Sequence, residues 1–189
     1  MLYESGMRSV FFGIESFNQE AAKFIGKGMD VEKVKRGLLD FKEKYPDVFI
    51  YTSMIGGLPT ETMEELEQSY RFLAEEAEVS NIAFTPLSLT SGSDMSLNAE
   101  RYGYIKSVDP SNPKGWIRSD GLNSKEVREW CLEKFSQRRN HPAGYVNYNR
   151  LRNLGYTDEQ LAQLSWAKDK DEIAKRSATK RNEYLKNIL

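Results

Sequence analysis

VFIYTSMIGGLPTETMEEL, residues 48–66, runs from a strand through a glycine turn into a capped helix, and its reading decides the fold. Residues 48–55 are dense in β-branched and aromatic side chains and read as a strand. Gly56 and Gly57 end it, since glycine reaches backbone conformations closed to other residues, and Pro59 lies in the turn. Thr62 and Glu65 have the spacing of a capping box, and Leu66, Tyr70, Leu73 and Ala77 supply the apolar stripe of the helix that follows.

The same alternation continues on both sides. Upstream, residues 9–15 (SVFFGIE) read as a strand, and Asn18 caps a short helix through Phe24 and Ile25. Asp30 caps a longer helix, with Val31, Val34, Leu38, Phe41 and Tyr45 at helical spacing until Pro46 stops it. Downstream, residues 80–85 (SNIAFT) form a third strand ending at Pro86. Strand, helix, strand, helix, strand argues for parallel strands joined by right-handed crossovers, as in an α/β barrel or an open sheet. From Leu87 to Asn123 turn-forming stretches such as LTSGSD and VDPSNPKG predict an irregular segment. Beyond it the pattern is helical: one helix begins at the Asn123 and Glu126 pair, and others span about 143–154, 158–166 behind Thr157 and Gln160, and 170–188.

The 189 residues suit one ordinary domain or a domain with an appendage, and one compact unit is expected. Lys and Arg total 27 against 28 Asp and Glu, so no net field favours nucleic acid or an anionic membrane. The cations of 168–189 are interspersed with Asp169, Asp171, Glu172 and Glu183, the pattern of a solvated helix face rather than a nucleic-acid surface. No apolar run is long enough to cross a bilayer, and MLYESGMRS lacks the character of a secretory signal, so a cytoplasmic location without membrane contact is expected. The single cysteine, Cys131, excludes an intrachain disulfide and any cysteine-only metal site built from these residues.

Within the strands one alternating set is apolar (Val10, Phe12, Ile14; Ile82, Phe84) and the other small or polar (Gly13, Glu15; Asn81, Ala83, Thr85). The first set should face helices and the second a polar, ligand-accepting interior, although a solvated sheet face gives the same alternation. Glu15 ends the first strand, where parallel α/β folds place functional side chains, and its carboxylate suits a pair of sugar hydroxyls; an ion-paired or capping glutamate is the alternative. Gly56 and Gly57 let a flat ligand approach the backbone, or simply make a tight turn. His141, the only histidine, reads as a loop residue, and Tyr145, Tyr148 and Trp166 as core or interface aromatics.

FFGIES at 11–16, IGKG at 25–28 and IGGLPTET at 55–62 together resemble the second half of the radical S-adenosylmethionine barrel, most of all its cobalamin-binding and methylthiolating branch. The likeness covers residues 2 to about 88 and departs from the family at Thr60, where glycine is common. It implies a partial, half TIM-like barrel of about three parallel strands over 1–88, an irregular connection over 89–123 and an α-helical C-terminal extension over 124–189. It also implies that Glu15 and Ser16 lie near the ribose or methionyl part of S-adenosylmethionine, that Ile55, Gly56 and Gly57 pack on adenine, and that Leu87 closes the adenine pocket. Pro59 and Glu61 read as structural, the latter complementing a helix dipole.

In that family three cysteines of a CxxxCxxC loop hold a [4Fe–4S] cluster, which splits S-adenosylmethionine into methionine and a 5′-deoxyadenosyl radical. No such loop occurs here, so these residues are expected to act only with a cluster-binding N-terminal barrel half, supplied by another segment or chain, or to self-associate. Cobalamin is left open as a further cofactor, and so is the substrate. The alternative reading is a non-catalytic half-barrel scaffold or binding protein acting through its helical tail.

Overall fold

In a computed structural model, which describes residues 2–137, 155–157 and 160, the chain forms a parallel α/β layer crossed at one end by a small antiparallel ribbon. Strand β1 (Ser9–Glu15) leads through α1 (Gln19–Phe24) and α2 (Val31–Lys44) to β2 (Phe49–Gly56). Then come α3 (Met63–Arg71), continued by a π-helical turn (Phe72–Glu76), and β3 (Asn81–Pro86). The helix starts follow the local chemistry read from the sequence. Asn18 Oδ1 accepts from the amides of Glu20 and Ala21, Asp30 from that of Lys33, and Thr62 and Glu65 make both bonds of a capping box.

The three strands are parallel in the order β1-β2-β3, in register from Ser9 opposite Phe49 and Tyr51 opposite Asn81. This is the expected fold class. Ile14, Ile50, Met54 and Ile82 turn to the helices and pack with Val31, Leu38, Phe72 and Leu73. Phe12 meets Phe41 and Phe17 meets Phe72 edge to face, at 5.8 Å and 5.3 Å. The wide π turn allows consecutive Phe72 and Leu73 both to reach the core.

Residues 89–123 are more ordered than their composition predicts. They contain a short helix α4 (Asp94–Leu97), a 3₁₀ turn (Ala99–Tyr102) and strands β4 (Tyr104–Lys106) and β5 (Trp116–Arg118), paired antiparallel. Helix α5 (Ser124–Gln137) then begins where expected, with Asn123 Oδ1 accepting from the amides of Lys125 and Glu126. It is not set apart from the sheet. Trp130 stacks edge to face on Phe84 of β3 at 4.9 Å, and Val127 and Cys131 lie against Gly56 of β2. It thus belongs to the helical layer, and the ribbon is an excursion between β3 and its own helix.

Of the later helices only the Thr157–Gln160 pair is described, bonded reciprocally as a capping box would be; the remainder of that helix, those of 143–154 and 170–188, and His141, Tyr145, Tyr148 and Trp166 lie outside the described residues. No helix among the described residues is long and apolar enough to cross a membrane.

Candidate functional site at the strand tips

Parallel pairing brings the C-terminal ends of β1, β2 and β3 to one end of the sheet, and side chains tie them together. Ser16 is fully buried, and its hydroxyl donates to Glu61 Oε1 at 2.7 Å. The other oxygen of Glu61 accepts from the amides of Gly57 at 3.0 Å and Leu58 at 3.3 Å. Asn18 Nδ2 donates to Glu65 Oε1 across the same gap at 2.8 Å. On the far side the amide of Leu87 donates to Gly56 O at 2.9 Å, fastening the third tip to the second. Of the six expected site residues, Ser16, Gly56, Gly57 and Leu87 are therefore linked through one hydrogen-bonded chain, and Ile55 and Glu15 flank it. Ser16 contributes a tie between loops, its hydroxyl being committed to Glu61.

Glu15 is set apart by its backbone. Its φ of +75° is a left-handed conformation that costs a non-glycine residue of the order of 1–3 kcal/mol. It follows an irregularity in the β1–β2 register between Gly13 and Glu15. The carboxylate folds back over Gly13, where a Cβ would stand only 2.9 Å from Oε1, so a larger residue there would push the carboxylate aside. Lys27, from the IGKG turn, donates to Gly13 O at 2.8 Å and holds its ammonium 3.9 Å from Glu15 Oε1. Behind this pair lies the sheet face turned away from the helices. Phe11 meets Tyr51 at 5.1 Å, Gly13, Ser53 and Ala83 form a row of small side chains, and Ile55 stands opposite Thr85. The expected small or polar character holds for Gly13, Ser53, Ala83 and Thr85 but not for Phe11, Tyr51 and Ile55, and Asn81 at the near end is buried.

The two glycines are packed from the other direction. A Cβ on Gly56 would stand 3.0 Å from Val127 Cγ1, and one on Gly57, at φ +86°, would stand 2.6 Å from Trp116 Cζ2. Trp116 and Val127 therefore close that side of the loop. Thr60 has φ +68°, a left-handed conformation that glycine adopts without strain and a β-branched residue does not.

Glu61 is the residue whose role the sequence does not disclose. It is structural, but it precedes the Thr62 cap rather than standing in the first turn of α3, and it is 1% exposed and pinned to the glycine loop. Burial pushes its carboxyl from 4.5 up to about 7, against the lowering effect of the bonds from Ser16, Gly57 and Leu58, and the charge of Glu65 adds to the rise. Three further residues were beyond sequence reading: Tyr104, Trp116 and Arg118 of the ribbon, all buried, reach into the same loops.

A metal cluster does not fit these residues. Cys131 is buried against Gly56, burial pushes its thiol up to about 12, and no three His, Cys, Asp or Glu among the described residues could share an ion.

Residues 1–73 match the family model of the radical SAM superfamily. A 62-residue stretch is 32% identical to ribosomal protein uS12 methylthiotransferase RimO of Thermotoga sp. (strain RQ2), covering 33% of this chain and 14% of that protein. The chain thus spans about one seventh of that relative's length. Coproporphyrinogen III oxidase (HemN) from Escherichia coli, described as a radical SAM enzyme, superposes with a TM-score of 0.48 at 15% identity, over 72% of this chain and 28% of that one.

Proposed function

We propose, on the premise that this chain belongs through residues 1–73 to the radical SAM superfamily, that its strand tips bind S-adenosylmethionine in an enzyme whose iron–sulfur cluster is held by other residues. The observation that carries this reading is the joining of all three tips by Ser16, Glu61 and Leu87 around a strained Glu15. Strain of that kind persists only where surrounding structure imposes it, and here it aims a carboxylate across the open sheet face. Glu15 accepts hydrogen bonds from ribose hydroxyls, and Lys27, with donors left after its bond to Gly13 O, takes an anionic group beside it. Ile55 and the backbone of Gly56, Gly57 and Leu87 form the apolar edge for adenine. Ser16 positions Glu61, and Glu61 positions the loop. The cofactor would supply a source of a carbon radical; these residues hold and orient it and keep water from its nucleoside.

The cluster-bearing part adds beside β1, which lies at an edge of the sheet, whether it belongs to the same polypeptide or to a partner. The substrate of RimO is a ribosomal protein by name, and this reading carries no such substrate over to the present chain. The non-catalytic scaffold is separated from the enzyme by one experiment. Full-length protein, anaerobically loaded with cluster, is titrated with S-adenosylmethionine and then reduced, and methionine and 5′-deoxyadenosine are measured. Binding that weakens at least tenfold in Glu15→Gln, with cleavage in the unsubstituted protein, supports the enzyme; a loaded, folded protein that neither binds nor cleaves refutes it.

A further inference from the structure

The β4–β5 ribbon places three donors on backbone carbonyls of the strand-tip loops. Tyr104 Oη donates to Gly57 O at 2.8 Å, and Trp116 Nε1 donates to Leu87 O at 2.9 Å. Arg118 Nη1 donates to Leu58 O at 3.0 Å and to Glu61 O at 2.6 Å, while Asp120 engages its Nε and Nη2. Tyr104 and Arg118 are directly opposed in the ribbon, and the rings of Tyr104 and Trp116 lie 4.9 Å apart, so the three act from one rigid unit. They grip a segment that resists its own geometry: Gly57 and Thr60 are both left-handed, and Thr60 is β-branched. An anchored carbonyl fixes where the backbone runs without regard to which side chains it carries.

We infer that the ribbon is a brace for the cofactor-binding loop and that Tyr104 and Arg118 are positioning residues for S-adenosylmethionine. This rests on the function proposed above. A loop released from the brace spends less time in its binding form, and the apparent dissociation constant rises by the factor by which that population falls. One lost hydrogen bond of ordinary strength sets this at about threefold to tenfold.

The test uses full-length, cluster-loaded protein with the substitutions Tyr104→Phe and Arg118→Lys, and Tyr102→Phe as a control that removes a tyrosine hydroxyl bonded to Asp94 instead. Amide hydrogen exchange at Gly57 and Leu58 reads the loop, and titration with S-adenosylmethionine reads the site. The expected result for Tyr104→Phe is exchange at those two amides about threefold to tenfold faster, with the global unfolding midpoint lowered by no more than that one bond accounts for and the dissociation constant raised by up to the same factor. Arg118→Lys goes further in both, and Tyr102→Phe changes neither. Unchanged exchange at Gly57 and Leu58 overturns the brace, and so does faster exchange with unaltered affinity. Failure of the unsubstituted protein to bind overturns the ligand reading instead, a separate result because exchange judges the brace without ligand.

Discussion

Replacing Glu61 by glutamine should make the protein more stable at neutral pH and remove a pH dependence that the wild-type protein carries. An ordinary glutamate titrates near 4.5 and this one is pushed up to about 7. At about 1.4 kcal/mol per pK unit, the gap represents roughly 3 kcal/mol. The folded state holds the proton more tightly than the unfolded chain, so the stabilisation is complete below about pH 4.5 and is lost as pH rises through about 7, beyond which it stays level. Glutamine is neutral throughout. Its carbonyl still accepts from the Gly57 and Leu58 amides, and its NH₂ meets Ser16 Oγ, whose hydroxyl can turn to accept. The strength of the charged form's hydrogen bonds is already contained in the net rise, so with the neutral amide matching the neutral acid, Glu61→Gln stands roughly 3 kcal/mol ahead at pH 8 and near parity around pH 4.5. Urea midpoints of both proteins at pH 4.5, 6, 7 and 8 measure this, and the difference between the two curves cancels all shared titrations. A difference that stays flat across that range, or a variant less stable at pH 8 by 1 kcal/mol or more, refutes the reasoning.

Other substitutions test neighbouring claims. Thr60→Gly relieves a left-handed β-branched residue, worth about 1–2 kcal/mol, against roughly 0.5–1 kcal/mol of added chain entropy, so a denaturation midpoint should show a net gain of about 0.5–1 kcal/mol. Glu15→Gly separates strain from function: stability holds or rises, while affinity for S-adenosylmethionine, followed by calorimetric titration, falls about tenfold or more. Gly57→Ala must fit a Cβ 2.6 Å from Trp116 Cζ2 at φ +86°, and thermal unfolding should register a loss of about 2–4 kcal/mol.

The strands and helix starts were legible because their signals are local. SVFFGIE is β1 to the residue, and the asparagine, aspartate and Thr62 caps each need only a partner two or three positions on. The ribbon was not, since three-residue strands separated by a loop rich in Pro, Asn and Gly leave no periodicity to detect. Glu61 was misread for a different reason. Its burial depends on Ser16, 45 positions away, and on a loop that folds back over it, and nothing in GLPTET distinguishes such a carboxylate from one facing water. Ser16 shows the same gap: its place beside the tips was readable, but the direction of its hydroxyl was not. Thr60 was visible as a departure from the family, and only the backbone angle gives that departure a cost. The packing of α5 on β3 was not legible either, because the chain between the two is long enough to resemble a boundary.

That last arrangement bears on how the molecule is made. A ribosome finishes β3 well before residues 124–137 have been synthesised, so Phe84 and the outer side of Gly56 wait without their cover while the ribbon emerges. The nascent sheet is sticky during that interval, and a pause in translation there lengthens its exposure to chaperones and to other nascent chains.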